Sequence, residues 1–149
     1  MRVDLKNPIQ WIICLIVMVL IVVNALIFFN PMHVSGDSML PTYKNRSIIF
    51  VNTANKNIEV GDIVVFYYGD LKLVKRIFGM QGDNIRIEDF SIYKNDVLIY
   101  TVSIEAENDI SLTLGENEYF VLGDNLDNSN DSRFFGSINI KNIIGKVWV

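Results

Sequence analysis

The 149-residue chain contains one cysteine and one histidine. A single cysteine excludes an intrachain disulfide, and with one histidine it cannot build a Cys/His zinc site. Basic residues are also scarce: 13 Lys and Arg face 17 Asp and Glu, giving a net charge of −4 and a pI of 4.9. That balance argues against a nucleic-acid binder. Charge is wholly missing from residues 11–29 (WIICLIVMVLIVVNALIFF), where 18 of 19 residues are apolar. This one run explains why half the chain is apolar and why its mean hydropathy is +0.29. One run excludes both a fully soluble chain and a polytopic membrane protein. The remainder is rich in Val, Ile, Phe and Tyr, which excludes intrinsic disorder.

Nineteen helical residues span about 28 Å, close to the ~30 Å hydrocarbon core of a bilayer. Asn24 is the only polar interruption, and Cys14 reads as a small hydrophobe facing lipid. Arg2 and Lys6 precede the run, whereas no basic residue follows it until Lys44. The positive-inside rule therefore places the N-terminus in the cytoplasm and the rest of the chain outside. A cleaved signal peptide would have a shorter apolar region and small residues at its end. Here the run ends in bulky Ile27-Phe28-Phe29-Asn30-Pro31. The expected organisation is a cytoplasmic flank at 1–10, a transmembrane anchor at 11–30 and one extracytoplasmic domain at 31–149.

Short β-type runs separated by turn signals fill that outer domain. The clearest are 47–52, 62–68, 71–78, 84–88, 91–93, 97–104, 119–122 and 143–149. Gly61-Asp62, Gly69-Asp70, Gly82-Asp83, Asn95-Asp96 and Gly123-Asp124 punctuate them. The expected fold is all-β, a barrel-like domain of short antiparallel strands behind one transmembrane helix.

Three polar segments stand apart from this pattern. In Ser35-Gly36-Asp37-Ser38-Met39-Leu40-Pro41-Thr42, a serine lies on a loop between a glycine and a proline. In Leu71–Asp83, strand alternation puts Lys75 in a row with Leu71, Leu73 and Ile77. A lysine among apolar neighbours loses hydration of its charged form, so its pKa falls and it becomes available as a general base for a serine. The third segment, Gly123–Gly136, is dense in short polar side chains that fix turns. In it, Asp131 and Arg133 are placed to form a charge-assisted pair. Read as a calcium loop from Asp127, it lacks the glycine at position six and the glutamate at position twelve, so no metal is expected. His33 lies near the membrane boundary, an awkward place for a positioned base.

Together these segments resemble the bacterial type I signal peptidases, in their Gram-positive-like, single-anchor form. SGDSMLPT is similar to that family's nucleophile box, and Gly61-Asp62-Ile63-Val64 to its Gly-Asp-x-Val box. Lys75-Arg76-Ile77-Phe78-Gly79 with Gly82-Asp83 resembles the lysine box, and GDNLDNSNDSRFFG the last box. The boxes come in the family order, behind an anchor, and span essentially the whole chain. Met80-Gln81 departs from the aliphatic-Pro pair usual before Gly82-Asp83, and Tyr43 replaces a common aliphatic residue.

The resemblance implies a serine endopeptidase with Ser38 as nucleophile and Lys75 as general base, acting through an acyl-enzyme without a cofactor. The Ser38 backbone N–H is implied as part of the oxyanion hole. Gly36 stands where some members carry a serine that donates a second hydrogen bond. Ser129 is implied to hydrogen-bond Lys75, Asp131 to pair with Arg133, and Asp124 to support the same loop. The large accessory domain of some relatives is expected to be missing between Asn84 and Leu122. The implied partners are preprotein signal peptides and the lipid bilayer, near the secretion translocon, with no nucleic acid. Val34, Met39, Leu40 and Tyr43 read either as an apolar rim touching lipid or substrate, or as local core. Two other functions compete: a non-enzymatic membrane-tethered β-domain that binds exported chains, and a self-cleaving Ser/Lys regulator.

Overall fold

A computed structural model describes residues 8–54, 57–103 and 109–148, with the side chains of 26–29 excepted. Helix α1 (Pro8–Phe29) begins three residues before the apolar run. Pro8 suits a first helical position, where its missing N–H would have no partner anyway. From Ile9 to Val23 the large apolar side chains of α1 are exposed all round, so this helix packs no face on the domain. It is long and apolar enough to cross a membrane. Asn24 donates from Nδ2 to the Leu20 carbonyl at 2.8 Å, so its amide is satisfied within the helix.

Eleven strands follow among the described residues: β1 (Pro31–His33), β2 (Ile48–Asn52), β3 (Ile63–Tyr68), β4 (Leu71–Gly79), β5 (Asn84–Glu88), β6 (Ser91–Lys94), β7 (Val97–Thr101), β8 (Ile110–Thr113), β9 (Glu118–Leu122), β10 (Ile138–Asn139) and β11 (Ile143–Val147). A one-turn helix α2 (Ser132–Phe135) precedes β10. All pairs are antiparallel and form two sheets. The larger has the order β1-β2-β11-β3-β4-β9-β10, the smaller β7-β6-β5-β8. The all-β expectation holds, but the barrel does not close: among the described residues both sheets are open. The edges of the large sheet are the three-residue β1 and the two-residue β10, which do not pair with each other.

The expected strands appear within a residue or two; Ile104 and Val149 lie outside the described residues, as does most of the expected cytoplasmic flank. Strands β1, β8 and β10 are additional and short; β8 alternates, as Ile110-Ser111-Leu112-Thr113, but over only four residues. The β3 run Ile63-Val64-Val65-Phe66 is buried on both faces, as expected of a central strand covered on each side. Val64 and Phe66 join Ile77, Val121 and Ile143 in one core; Ile63 and Val65 join Val34, Met39, Ile49 and Val51 in another. A third core lies under the small sheet, where Ile85, Ile87 and Ile92 meet Phe120 and Leu122. Val34 and Met39 are thus core residues, 4% and 0% exposed, whereas Leu40 and Tyr43 are only partly buried.

The Met80-Gln81 departure is accommodated by Asp83. Its carboxylate accepts the Met80 N–H at 2.9 Å and the Asn95 amide at 2.9 Å, and pairs with Lys94 at 2.9 Å. Burial pushes this carboxyl up, but these three donors outweigh it and hold its pKa below the ordinary value. The turn needs no proline because a side chain closes it.

Candidate active site

Ser38 sits on the tight loop that connects β1 to β2. Gly36 enters it at φ +86, a left-handed conformation that glycine adopts at no steric cost, and its N–H donates to Asn45 Oδ1 at 3.2 Å. Leu40 N–H bonds the Asp37 carbonyl at 3.1 Å, and Tyr43 N–H bonds the Met39 carbonyl at 2.8 Å. The fully buried Met39 side chain plugs the loop into the core. Ser38 is therefore fixed from both sides while remaining half-buried itself. Among the described residues no hydrogen bond engages its backbone N–H.

Lys75 comes from the middle of β4 and is 3% exposed. It shares its strand face with the buried Ile77, as alternation predicts, although Leu71 at the start of the same row is exposed. Its Nζ lies 2.7 Å from Ser38 Oγ. Desolvation by burial is the main influence on its pKa and lowers it from the ordinary 10.5. Asp131 opposes the shift, Arg133 adds to it, and Asp124 opposes it. The two groups that the sequence places 37 positions apart are thus in direct hydrogen-bond contact.

The third segment wraps this pair. Asp131 is the N-cap of α2 and accepts the Gly123 N–H at 3.0 Å and Arg133 Nε at 2.8 Å. The pairing of Asp131 with Arg133 agrees with expectation, but it arises from a helix cap rather than an extended segment. Arg133 also donates to the Leu126 carbonyl at 2.6 Å and the Ser129 carbonyl at 3.2 Å, tying both ends of the loop to one buried guanidinium. Ser132, which no sequence pattern singles out, accepts the Val121 N–H from β9 at 2.9 Å. Ser129 departs from expectation: its hydroxyl is buried and makes no hydrogen bond, to Lys75 or to any other group. It packs instead against Gly123. A Cβ on Gly123 would collide with the Ser129 side chain and with the Ser38 carbonyl, 2.6 Å away. Only glycine lets this loop approach Ser38 so closely.

Asp124 does more than support its own loop. Both of its oxygens accept from Arg76, at 2.7 Å each from Nε and Nη2, and it also accepts the Thr42 hydroxyl. Arg76 Nη1 reaches the Gly61 carbonyl at 2.7 Å. One guanidinium therefore joins all four motif segments at a single point. Burial pushes the Asp124 carboxyl up, yet the Arg76 and Thr42 hydrogen bonds outweigh it and the pKa falls. Next to this bolt, Asn125 holds the nucleophile loop: its N–H donates to the Ser38 carbonyl at 2.9 Å and its Nδ2 to the Asp37 carbonyl at 3.1 Å. Sequence reasoning missed Arg76, Thr42 and Asn125 because their partners lie 15 to 88 positions away.

A cavity of about 320 Å³ opens beside the Ser38–Lys75 pair, walled by Met32, Val34, Val65, Leu73 and Val74. The exposed His33 borders it without contacting the pair. Strand β3 pairs with β4 from Leu71 to Arg76, whereas β9 pairs with it only from Arg76 onward. The far edge of Leu71–Lys75 thus has no strand partner among the described residues. Nor does any group of three or more His, Cys, Asp or Glu converge there to hold a metal ion.

Residues 8–149 match the family described as "Signal peptidase, peptidase S26". The chain is 34% identical to signal peptidase I S of Bacillus subtilis, over 86% of this chain and 79% of that one. It is 34% identical to signal peptidase I P of Bacillus subtilis subsp. natto, over 94% and 86%. It is 30% identical to signal peptidase IB of Staphylococcus aureus, over 95% and 88%. With a serine and a desolvated lysine in contact where four ordered sequence motifs converge, and relatives along nearly its full length, the chain belongs to the type I signal peptidase family.

Proposed function

We propose that this chain is a membrane-anchored serine endopeptidase that removes signal peptides from exported preproteins, with Ser38 as nucleophile and Lys75 as general base. The observation that carries the reading is the 2.7 Å contact between Ser38 Oγ and the Nζ of an almost fully buried lysine. In its neutral form Lys75 takes the Ser38 proton as Oγ attacks the scissile carbonyl. The tetrahedral oxyanion points at the Ser38 N–H, which no protein group occupies; losing one such donor typically costs about 10²–10³ in rate. Lys75 then protonates the leaving amine. In the second step it draws a proton from water, which attacks the acyl-enzyme, and returns that proton to Ser38 Oγ as the acyl group leaves, so both groups are restored.

An extended substrate segment fits this site. The unpaired edge of Leu71–Lys75 offers main-chain donors and acceptors for strand addition, and the small apolar cavity beside it takes small side chains just before the cut. Asp131, Arg133 and Asp124 hold the third segment against the pair, and Gly36 leaves the oxyanion without a second side-chain donor. With the N-terminus in the cytoplasm, α1 keeps the domain on the outer face, close to where signal peptides leave the translocon.

The test uses the full chain in detergent with a preprotein carrying a signal peptide. Ser38→Ala and Lys75→Ala each abolish cleavage while the domain keeps its circular-dichroism spectrum. Retained cleavage in either variant overturns the mechanism. A wild-type chain that binds the preprotein and never cuts it indicates the binding-domain alternative. A self-cut fragment in its mass spectrum indicates the self-cleaving one.

A further inference from the structure

A second cavity, of about 270 Å³, lies on the other side of the nucleophile loop. Its walls are Pro41, Phe78, Leu122, Leu126 and Tyr100, and its polar side is the Arg76–Asp124 pair with Thr42. The two cavities share one strand. Lys72–Lys75 of β4 line the first, and Arg76–Phe78 line the second. Val74 and Arg76 project from the same face, because strand side chains alternate; the β4–β9 register shifts between Ile77 and Gly79, and there Phe78 lines the second cavity beside Arg76. The nucleophile loop crosses that face between the cavities, with Ser38 bordering the first and Pro41-Thr42 the second. A chain whose scissile bond lies at Ser38, with its preceding residues in the first cavity, meets the second as it leaves. At about 3.3 Å per extended residue, Phe78 is within three residues of the cut.

We infer that this second cavity binds the residues immediately after the cleavage site and favours a large apolar or aromatic side chain there, with Tyr100 as the specificity-determining residue. The inference rests on the Ser38/Lys75 reading and adds a substrate preference to it. The chemistry of the walls sets the preference. Five of them are apolar or aromatic. The only charges, Arg76 and Asp124, already neutralise each other through two 2.7 Å hydrogen bonds, so neither is available to a charged side chain. Tyr100 is the one wall supplied by the small sheet. Its ring packs 5.9 Å from that of Phe78, centroid to centroid, while 43% of the residue stays accessible. It is the part of the wall an entering side chain can cover. The volume is just below the range of about 300–1,000 Å³ typical of small-molecule clefts, which suits one or two side chains and no folded segment.

The experiment measures kcat/KM of the full chain in detergent for peptides identical before the cut and carrying Ala, Phe or Asp at each of the first three positions after it. At one of these positions the wild type prefers Phe over Ala by roughly three- to tenfold, as expected for partial burial of one aromatic side chain. Asp there is the poorest. Tyr100→Ala brings the Phe-to-Ala ratio to near one, and Tyr100→Phe keeps it. The inference is overturned if the wild type is indifferent at all three positions. It is also overturned if Tyr100→Ala lowers every peptide by the same factor, since that marks a merely structural residue. Ser38→Ala on the same peptides separates the two readings. Cleavage surviving in that variant removes the Ser38/Lys75 mechanism, whereas its loss together with a flat wild-type profile removes the specificity pocket alone.

Discussion

The two sheets solve the same folding problem with different precision. The large sheet is covered on both faces: β3 is buried at four consecutive positions, and the loops that carry Ser38 and Asp131 press on it from either side. The small sheet buries Ile85, Ile87 and Ile92 on one face and leaves its edge strand β7 exposed at every position. Their ion pairs differ in the same way. Asp131 and Arg133 have side chains 0% and 2% exposed, whereas Arg86 and Glu88, 2.6 Å apart on the small sheet, are 31% and 49% exposed. The candidate site lies where packing is two-sided, because there the surrounding structure holds a close-packed loop and a desolvated charge in place.

The contrast can be broken most severely at Arg133. Arg133→Ala leaves Asp131 as an uncompensated buried carboxylate and destabilises the fold by about 3–5 kcal/mol, read from urea unfolding in detergent. Gly123→Ala comes next. It acts on placement, pushing Ser129 and the Ser38 loop apart, and a misplacement near 1 Å lowers kcat/KM on the order of 10²-fold. A peptide cleavage assay reads that loss, with circular dichroism showing that the strands persist.

Lys75→Met sharpens the comparison with the opposite sign. The pKa of Lys75 is lowered in the fold, so the folded state binds fewer protons than the unfolded one between that lowered value and 10.5. Charged Lys75 therefore weakens the fold at neutral pH, and the penalty fades as pH rises. Lys75→Met is inactive yet melts at the same or a higher temperature at pH 7, and its advantage shrinks in alkaline buffer. The wild-type kcat/KM rises with pH as Lys75 loses its proton, with a midpoint below 10.5. A flat profile across that range contradicts the assignment of Lys75 as base. The smallest effect belongs to the small sheet. Arg86→Ala produces no resolvable change in Tm, because solvent already screens its pair.

Much of this was legible in the chain. The anchor follows from an uncharged apolar run that only Asn24 interrupts, and strands such as β3 and β5 from β-branched content between turn signals. Lys75 was marked by its place in an apolar row, and Asp131 and Arg133 by their short separation. The short strands β1, β8 and β10 were hidden because two to four residues carry too little periodicity; they are strands only because a neighbour pairs with them. Ser129 was misjudged because the resemblance assigned a hydrogen bond, whereas the close approach of Gly123 directs its hydroxyl into packing. Val34 and Met39 were ambiguous because apolar residues on a loop suit a surface rim as well as a core.

By itself, then, the sequence determined one helix long and apolar enough to cross a membrane, an all-β domain and the segments that carry the candidate residues Ser38 and Lys75, since these depend on local composition and period. Only the tertiary structure decided that Ser38 touches Lys75, and that Arg76 bolts Gly61, Thr42 and Asp124 to one point. It also decided that, among the described residues, the sheets stay open and that a second cavity lies beside Pro41 and Thr42. The Ser38 and Arg76 contacts, between residues 15 to 48 positions apart, arise from which strands pair and in what register, and no local pattern encodes that.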